Sequence, residues 1–430
     1  MFWMLNKLTY RNNERPGNTS ITFHEHGAWK NKKQCTKPRR AKYNRKLICK
    51  LHPTDLMYSG KFELHLRKII QFDHPMNTSE LRRLRLHNQL LSGHPLKTPD
   101  AIVAWMGAMQ AQAPDAAKWA IGTRLGTATL KEVEDALNTG KIIRTHILRP
   151  TWHFVTAEDL HWMFDLSNPR LKPVYISYCR MLGLDEALIT RAIPVLEKAL
   201  AGGKHLTKPE IGNFLQNEKI TADTPLLNLI ISRAEMEGIL CNGRIQGSKQ
   251  TFTLRDEWAP RKQTLQKDEA LERLARKYFT SHGPATVHDF AWWSGLSLTE
   301  CRQAIDAIQS DFICETVNGR IFRMKNDIQT PPANDPSALL LPSFDEFVVS
   351  YKDRSEIICG TSETIRNTHY GKVITKNGLF SPIITLNGEI IGSWKKITAK
   401  KIALAFFEKT PKKTQELFSP EIKHLEKFYS

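Results

Sequence analysis

The stretch LLNLIISRAEMEGILCNGRIQGSKQTFTLRD, residues 226–256, decides the fold. Its first half places apolar residues at helical spacing and stops at Gly238. Its second half is two short strand-like runs around Gly247, Ser248 and Lys249. A short helix with a threonine cap and an early proline, KHLTKPEIGNFL at 204–215, comes before it. The order is helix, turn, helix, β-hairpin, which is the plan of a winged helix.

The plan recurs further along. EALERLARKYFTSHGPATVHDFAWWSGL (269–296) and SLTECRQAIDAIQSDF (297–312) read as helices, and ICETVNGRIFRM (313–324) reads as a hairpin turning at Asn318-Gly319. IQTPPANDPSA (328–338) is a linker by composition. Beyond it the pattern is β-rich. LLLPSFDEFVVS (339–350) is a strand candidate. VITKNGLFSPIITLNGEIIGSW (373–394) reads as strands joined at Asn377-Gly378 and Asn387-Gly388. KKITAKKIALAFFEK (395–409) is a basic amphipathic tail.

Toward the N-terminus, Ser79 to Leu91 has a helical pattern. Thr98-Pro99-Asp100 opens a second helix, expected to end near Gln110. DAAKWAIGTRL and TLKEVEDALN continue the helical period, and KIIRTHILRPTWHFV (141–155) changes to strand character. In its second half Pro150, Trp152 and Phe154 alternate with Arg149, Thr151 and His153. An extended chain would turn the first set to the core and the second outward or into a cleft.

At 430 residues the chain is too long for one ordinary core. Five regions are expected: a basic extension at 1–75, a first region at 76–182, two repeats at 183–262 and 263–330, and a β-rich region at 331–430. The extension holds 16 Lys/Arg against 5 Asp/Glu, most of the net charge of +18. It reads as disordered, as untranslated sequence ahead of Met76, or as a DNA-binding arm. The body is only mildly basic, so charge alone does not make it a nucleic-acid binder. No run of ~18 apolar residues is present to span a membrane. The seven cysteines are scattered, with no metal spacing, and read as reduced thiols of a cytoplasmic protein. No metal or organic cofactor is expected.

Seven blocks then stand in order: RLRLHNQLLS, MGAMQAQAPDAAKWA, IIRTHILRPTWHFVTAEDL, RAEMEGILCNGRIQGSKQTFTL, ARKYFTSHGPATVHDFAWWSGL, LLPSFDEFVVSYKDRS and NGLFSPIITLNGEIIGSW. Together they resemble the bacterial winged-helix DNA-binding family that contains the AlkZ-like DNA glycosylases. The resemblance runs from about Leu81 to Trp394. It implies an α+β chain of tandem winged-helix units in a C-shape, with a barrel-like β-rich C-terminal domain. It also adds a degenerate first winged helix around 79–155. The implied activity is removal of alkylated bases from double-stranded DNA by a monomer associated with the nucleoid.

The family's catalytic motif is Gln, an apolar residue, then Gln or Asp. Here it falls on Gln110-Ala111-Gln112, which resembles the glutamine-ending branch of bulky and cross-linked purine adducts rather than the YcaQ type. Ser350 departs from the glycine expected in VVSYKDRS, far from the expected chemistry, and the N-terminal extension is unusual for the family.

The chemistry is compatible with two amides. A purine alkylated on its imidazole ring is cationic and already a good leaving group. What is left is to place a water and to stabilise positive charge developing on the sugar. A glutamine carbonyl accepts a hydrogen bond from water and aims its dipole at the cation. Two residues apart, the pair shares a face only if the segment is extended. By themselves the residues favour a solvated helix end; the resemblance turns the reading toward catalysis.

Thr151 and His153 are candidates for a polar lining near sugar or phosphate, against a structural strand histidine. Arg149 is a candidate phosphate or carboxylate contact. Arg244 and Lys249, with the wing 246–250, are candidate DNA contacts. Trp292 and Trp293 read as core rather than as base-stacking platforms, and Asp345, Glu346 and the YKDR cluster (351–354) as structural ion pairs at a domain seam rather than a catalytic carboxylate pair. Two other functions compete: a non-enzymatic DNA-binding regulator and a protein-binding winged-helix module. A regulator has no need of the two glutamines.

Overall fold

The computed structural model describes residues 75–327, 336–358, 360, 362–398 and 401–430. The expectations for 1–74 and for most of the 328–338 linker lie outside the described residues.

The helix opened by Thr98 is Pro99–Met106, with Thr98 Oγ1 accepting from Ala101 N–H. It ends one turn earlier than the pattern suggests. Gly107 adopts a φ of +79°, a conformation that costs glycine little, and this breaks the helical run. The next residues are extended. Strand β1 is Met109–Gln110, and Pro114 then starts helix Pro114–Leu125. Strands β2 (Ile142–His146) and β3 (Trp152–Thr156) complete a sheet in the order β1-β3-β2.

This sheet is covered on both faces. Its register sets Gln110 opposite His153 and His153 opposite Thr145, so these three share one face; Met109, Phe154 and Arg144 share the other. On the first face Ala108, Ile143 and Val155 join a core containing Tyr278, Phe290 and Trp293. On the second, Met109, Ile142 and Phe154 join a core with Trp119, Val133 and Ile384. The expected split between inward and outward residues therefore fails. Phe154 is buried, but so are Arg149, Thr151 and His153, while Trp152 is half-buried.

Downstream, a run of helices followed by a hairpin occurs twice. Helices Lys208–Asn217 and Thr224–Met236 precede β5 (Leu240–Gln246) and β6 (Lys249–Leu254), and the short β4 (Leu206–Thr207) pairs with β6. Helices Lys267–His282, Val287–Ser294 and Leu298–Ile308 precede the hairpin β7 (Phe312–Val317) and β8 (Arg320–Lys325).

The C-terminal part differs from a barrel. β9 (Ala338–Leu341), β10 (Ile383–Leu386), β11 (Glu389–Thr398) and β12 (Lys401–Phe406) form an open sheet in the order β12-β11-β10-β9. Among the described residues no pairing joins β9 to β12. The strand expected at 339–350 stops at Leu341, because Asp345 Oδ1 caps the short helix Glu346–Val349. The basic tail contributes β12 and is followed by helices Lys412–Glu416 and Ser419–Phe428. The chain is thus a mixed helix-and-sheet structure.

Candidate active site

The site is assembled around β1. Gln110 is 3% exposed, and its backbone N–H donates to Glu346 Oε1 at 2.6 Å. Its side-chain Oε1 accepts from Arg149 Nη2 at 2.8 Å. Ala111 is pinned on both sides: its N–H donates to Trp152 O at 2.7 Å, and its carbonyl accepts from Arg144 Nε at 3.0 Å. Gln110 and Ala111 are therefore extended and held in place, not a frayed helix end. Gln112 follows them at a bend, half-buried.

Glu346 is the anchor. It is 1% exposed. Its Oε2 accepts from Trp293 Nε1 at 3.1 Å and from the Ser350 hydroxyl, and His282 Nε2 lies 3.5 Å away. Burial alone would raise its pKa; the contacts with His282, Ser350 and the Gln110 N–H outweigh that and hold it ionised, below the usual carboxylate range. Ser350 is thus linked through Glu346 to Gln110 rather than being remote from it.

Arg149 is 6% exposed. Desolvation lowers its pKa to about 10, while the Glu346 charge opposes the fall. The guanidinium stays charged at neutral pH. The turn carrying it packs on the end of helix Val287–Ser294, where Gly295 has φ +70°; a Cβ there would sit 2.5 Å from Leu148 O.

His153 Nδ1 lies 2.9 Å from Thr151 O, which only accepts, so Nδ1 carries the proton and Nε2 is bare. Burial first, then the Arg149 charge, lowers its pKa to about 3. His153 is neutral and is no general acid at neutral pH. Several buried polar atoms here lack a hydrogen-bond partner among the described residues: Gln110 Nε2, Gln112 Oε1, Thr145 Oγ1, Thr151 Oγ1 and His153 Nε2. Left unmet, each such atom would cost about 1–3 kcal/mol, so water or a ligand is expected to serve this cluster.

Arg244 and Lys249 lie elsewhere, both exposed on the β5–β6 hairpin. Arg244 sits at the β5 irregularity, its guanidinium 5.2 Å from the centre of the Trp258 ring. The hairpin is tied to the glutamine segment through Arg144, whose Nη1 donates to Asn242 Oδ1 at 2.6 Å. A cavity of about 180 Å³ lies between them, lined by Pro114, Asp115, Arg144, Asn242 and Ser248 among others.

Sequence reasoning missed Arg144 and the grip of Glu346 on Gln110. Asp345 forms the expected buried ion pair, with Arg124 at 2.9 and 3.0 Å; Glu346 lies 3.5 Å from His282 Nε2 and also accepts the Gln110 N–H. The available signal was an acidic doublet inside an apolar run. Trp293 is core, as expected. Among the described residues no helix is long and apolar enough to cross a membrane, and no cluster of three His, Cys, Asp or Glu is disposed to hold a metal ion.

A family model described as DNA glycosylase AlkZ-like covers residues 103–428, and the chain belongs to that family. It is 22% identical over 356 residues to a Streptomyces sahachiroi protein described as an interstrand DNA cross-link repair glycosylase, spanning 77% of this chain and 92% of the relative. Its fold is similar to that of the solved S. sahachiroi DNA glycosylase AlkZ, with a TM-score of 0.67 at 18% identity, covering 83% of this chain and 97% of the other.

Proposed function

We propose that this chain is a monofunctional DNA glycosylase that hydrolyses the N-glycosidic bond of cationic, alkylated purines in double-stranded DNA, with Gln110 and Gln112 placing the water. The observation that carries this reading is the pair of shielded amide atoms, Gln110 Nε2 and Gln112 Oε1, on either side of the anchored Ala111 and without partners among the described residues. In the reaction the C1′–N bond breaks with its electron pair remaining on the purine, which neutralises the ring. Water oxygen forms the new C1′–O bond, and its surplus proton passes to solvent. Neutral His153 supplies no proton, so rate depends on the lability of the base. Uncharged, unmodified bases should stay in place.

In this reading the repeats at 183–262 and 263–330 act as winged helices on the duplex, and Arg244 and Lys249 meet phosphates. Thr151 and His153 line the sugar side. The enzyme works as a monomer on the chromosome in the cytoplasm. Opening of interstrand cross-links at purines is included, on the strength of the relative's described role.

The test uses purified wild type and the Gln110→Ala/Gln112→Ala double variant on duplex DNA containing 7-methylguanine and, separately, a bulkier cationic purine adduct. Released base and abasic sites are measured. Release by wild type alone, with DNA binding retained in the variant, is the expected result. If wild type binds but releases neither base, the chain is a non-enzymatic DNA-binding protein.

A further inference from the structure

The two glutamines are not equivalent. Arginine has only donors, so the atom of Gln110 facing Arg149 Nη2 at 2.8 Å is the carbonyl oxygen, whatever the ambiguity of amide assignment elsewhere. Arg149 keeps its charge because Glu346 opposes the cost of burial. Glu346 also fixes the backbone of residue 110. With Oε1 held from behind, the NH2 end is the part of the Gln110 amide left to act. Gln112 has no such partner: its shielded amide meets none among the described residues, so its acceptor Oε1 is available to a water. Arg149 is buried and its Nη2 is committed to the Gln110 carbonyl oxygen, which favours a positioning role over a phosphate contact.

We infer that Arg149 is a positioning residue that turns Gln110 into a hydrogen-bond donor, leaving Gln112 as the acceptor for the reacting water. The inference rests on the glycosylase reading above. Two residues along an extended segment are separated by roughly 6.6 Å, a span that one water can bridge between two flexible amide ends. The water accepts from Gln110 Nε2–H through one lone pair and donates one hydrogen to Gln112 Oε1. Its second lone pair is then aimed and free to form the C1′–O bond as the C1′–N pair withdraws into the purine. The surplus proton leaves through solvent beyond Gln112, which is the less buried of the two residues.

The test is asymmetry between near-isosteric substitutions. Glutamate keeps an acceptor but has no N–H. Gln112→Glu should slow release of 7-methylguanine by less than tenfold. Gln110→Glu should slow it by a hundredfold or more. Gln110→Met, which removes the donor without adding a charge, should show the same loss. Arg149→Met should lower single-turnover rate at least tenfold with unchanged DNA affinity and salt dependence, and Arg149→Lys should restore part of it. Equal effects at 110 and 112, or an active Gln110→Met, would overturn the inference and leave the glycosylase reading standing. So would an Arg149→Met variant whose salt slope falls by about one, the mark of a lost phosphate contact. An inactive wild type would instead remove the glycosylase reading and this inference with it.

Discussion

Glu346 accepts the backbone N–H of Gln110 at 2.6 Å across 236 positions of sequence. Through Trp293 Nε1 and Ser350 Oγ, the same carboxylate joins a core helix and its own short helix to the strand that carries Gln110. The geometry at residue 110 is therefore a property of the whole chain.

Replacing Glu346 with Gln keeps the shape and one acceptor but removes the charge that balances Arg149. The expected outcome is a loss of about 1–3 kcal/mol of stability, from an imperfectly met buried network, and at least a tenfold loss of base release. Urea unfolding and single-turnover assays read the two separately. Unchanged release would show that Gln110 does not depend on this anchor.

The pH profile separates the amide mechanism from acid catalysis. His153 is already neutral down to about 3 and Arg149 is charged up to about 10. Base release should be flat from roughly pH 5 to 9, with no inflection near the ordinary histidine value of about 6.5. Stability should behave differently. The folded pKa of His153 lies below the unfolded one, so its contribution is complete above about pH 6.5 and drains away as pH falls toward 3. Unfolding of wild type and His153→Asn, compared across that window, should show a shallower slope in the variant. A bell-shaped rate centred on histidine would contradict the assignment.

Gly295→Ala probes the support of Arg149. Both the φ of +70° and the 2.5 Å approach to Leu148 O oppose a Cβ. A loss of about 1–3 kcal/mol is expected from backbone strain, together with slower base release as the Arg149 turn shifts. Wild-type melting would mean that the helix end adjusts freely.

Arg244→Ala and Lys249→Ala test the hairpin. Each should weaken DNA binding at all sequences alike and reduce the salt slope by about 0.9. Titrations at several ionic strengths measure this; unchanged slopes would place the duplex elsewhere.

What sequence reveals here is local. Thr98-Pro99 announces a helix, and Asn387-Gly388, with φ of +52° and +75°, closes the β10–β11 hairpin as expected. Asn377-Gly378 looks identical but closes only an isolated bridge between Ile374 and Phe380, because a helix occupies Glu363–Val373 just before it. Strand alternation at 149–154 misleads because both faces of the sheet are covered. The seven-block resemblance located the two glutamines, but no spacing rule connects residue 110 to residue 346. Long-range polar contacts leave only the trace of charges within apolar runs.

The fastening of residue 110 by residue 346 limits how such a protein can evolve. A cassette holding the two glutamines and the sheet beside them, moved alone onto another scaffold, would arrive with its central amide hydrogen undocked. The helix-and-hairpin repeats invite shuffling, but the anchor of residue 110 does not travel with them. Descent of the site must be descent of the entire ribbon of chain, from the first sheet to the short helix that carries Glu346.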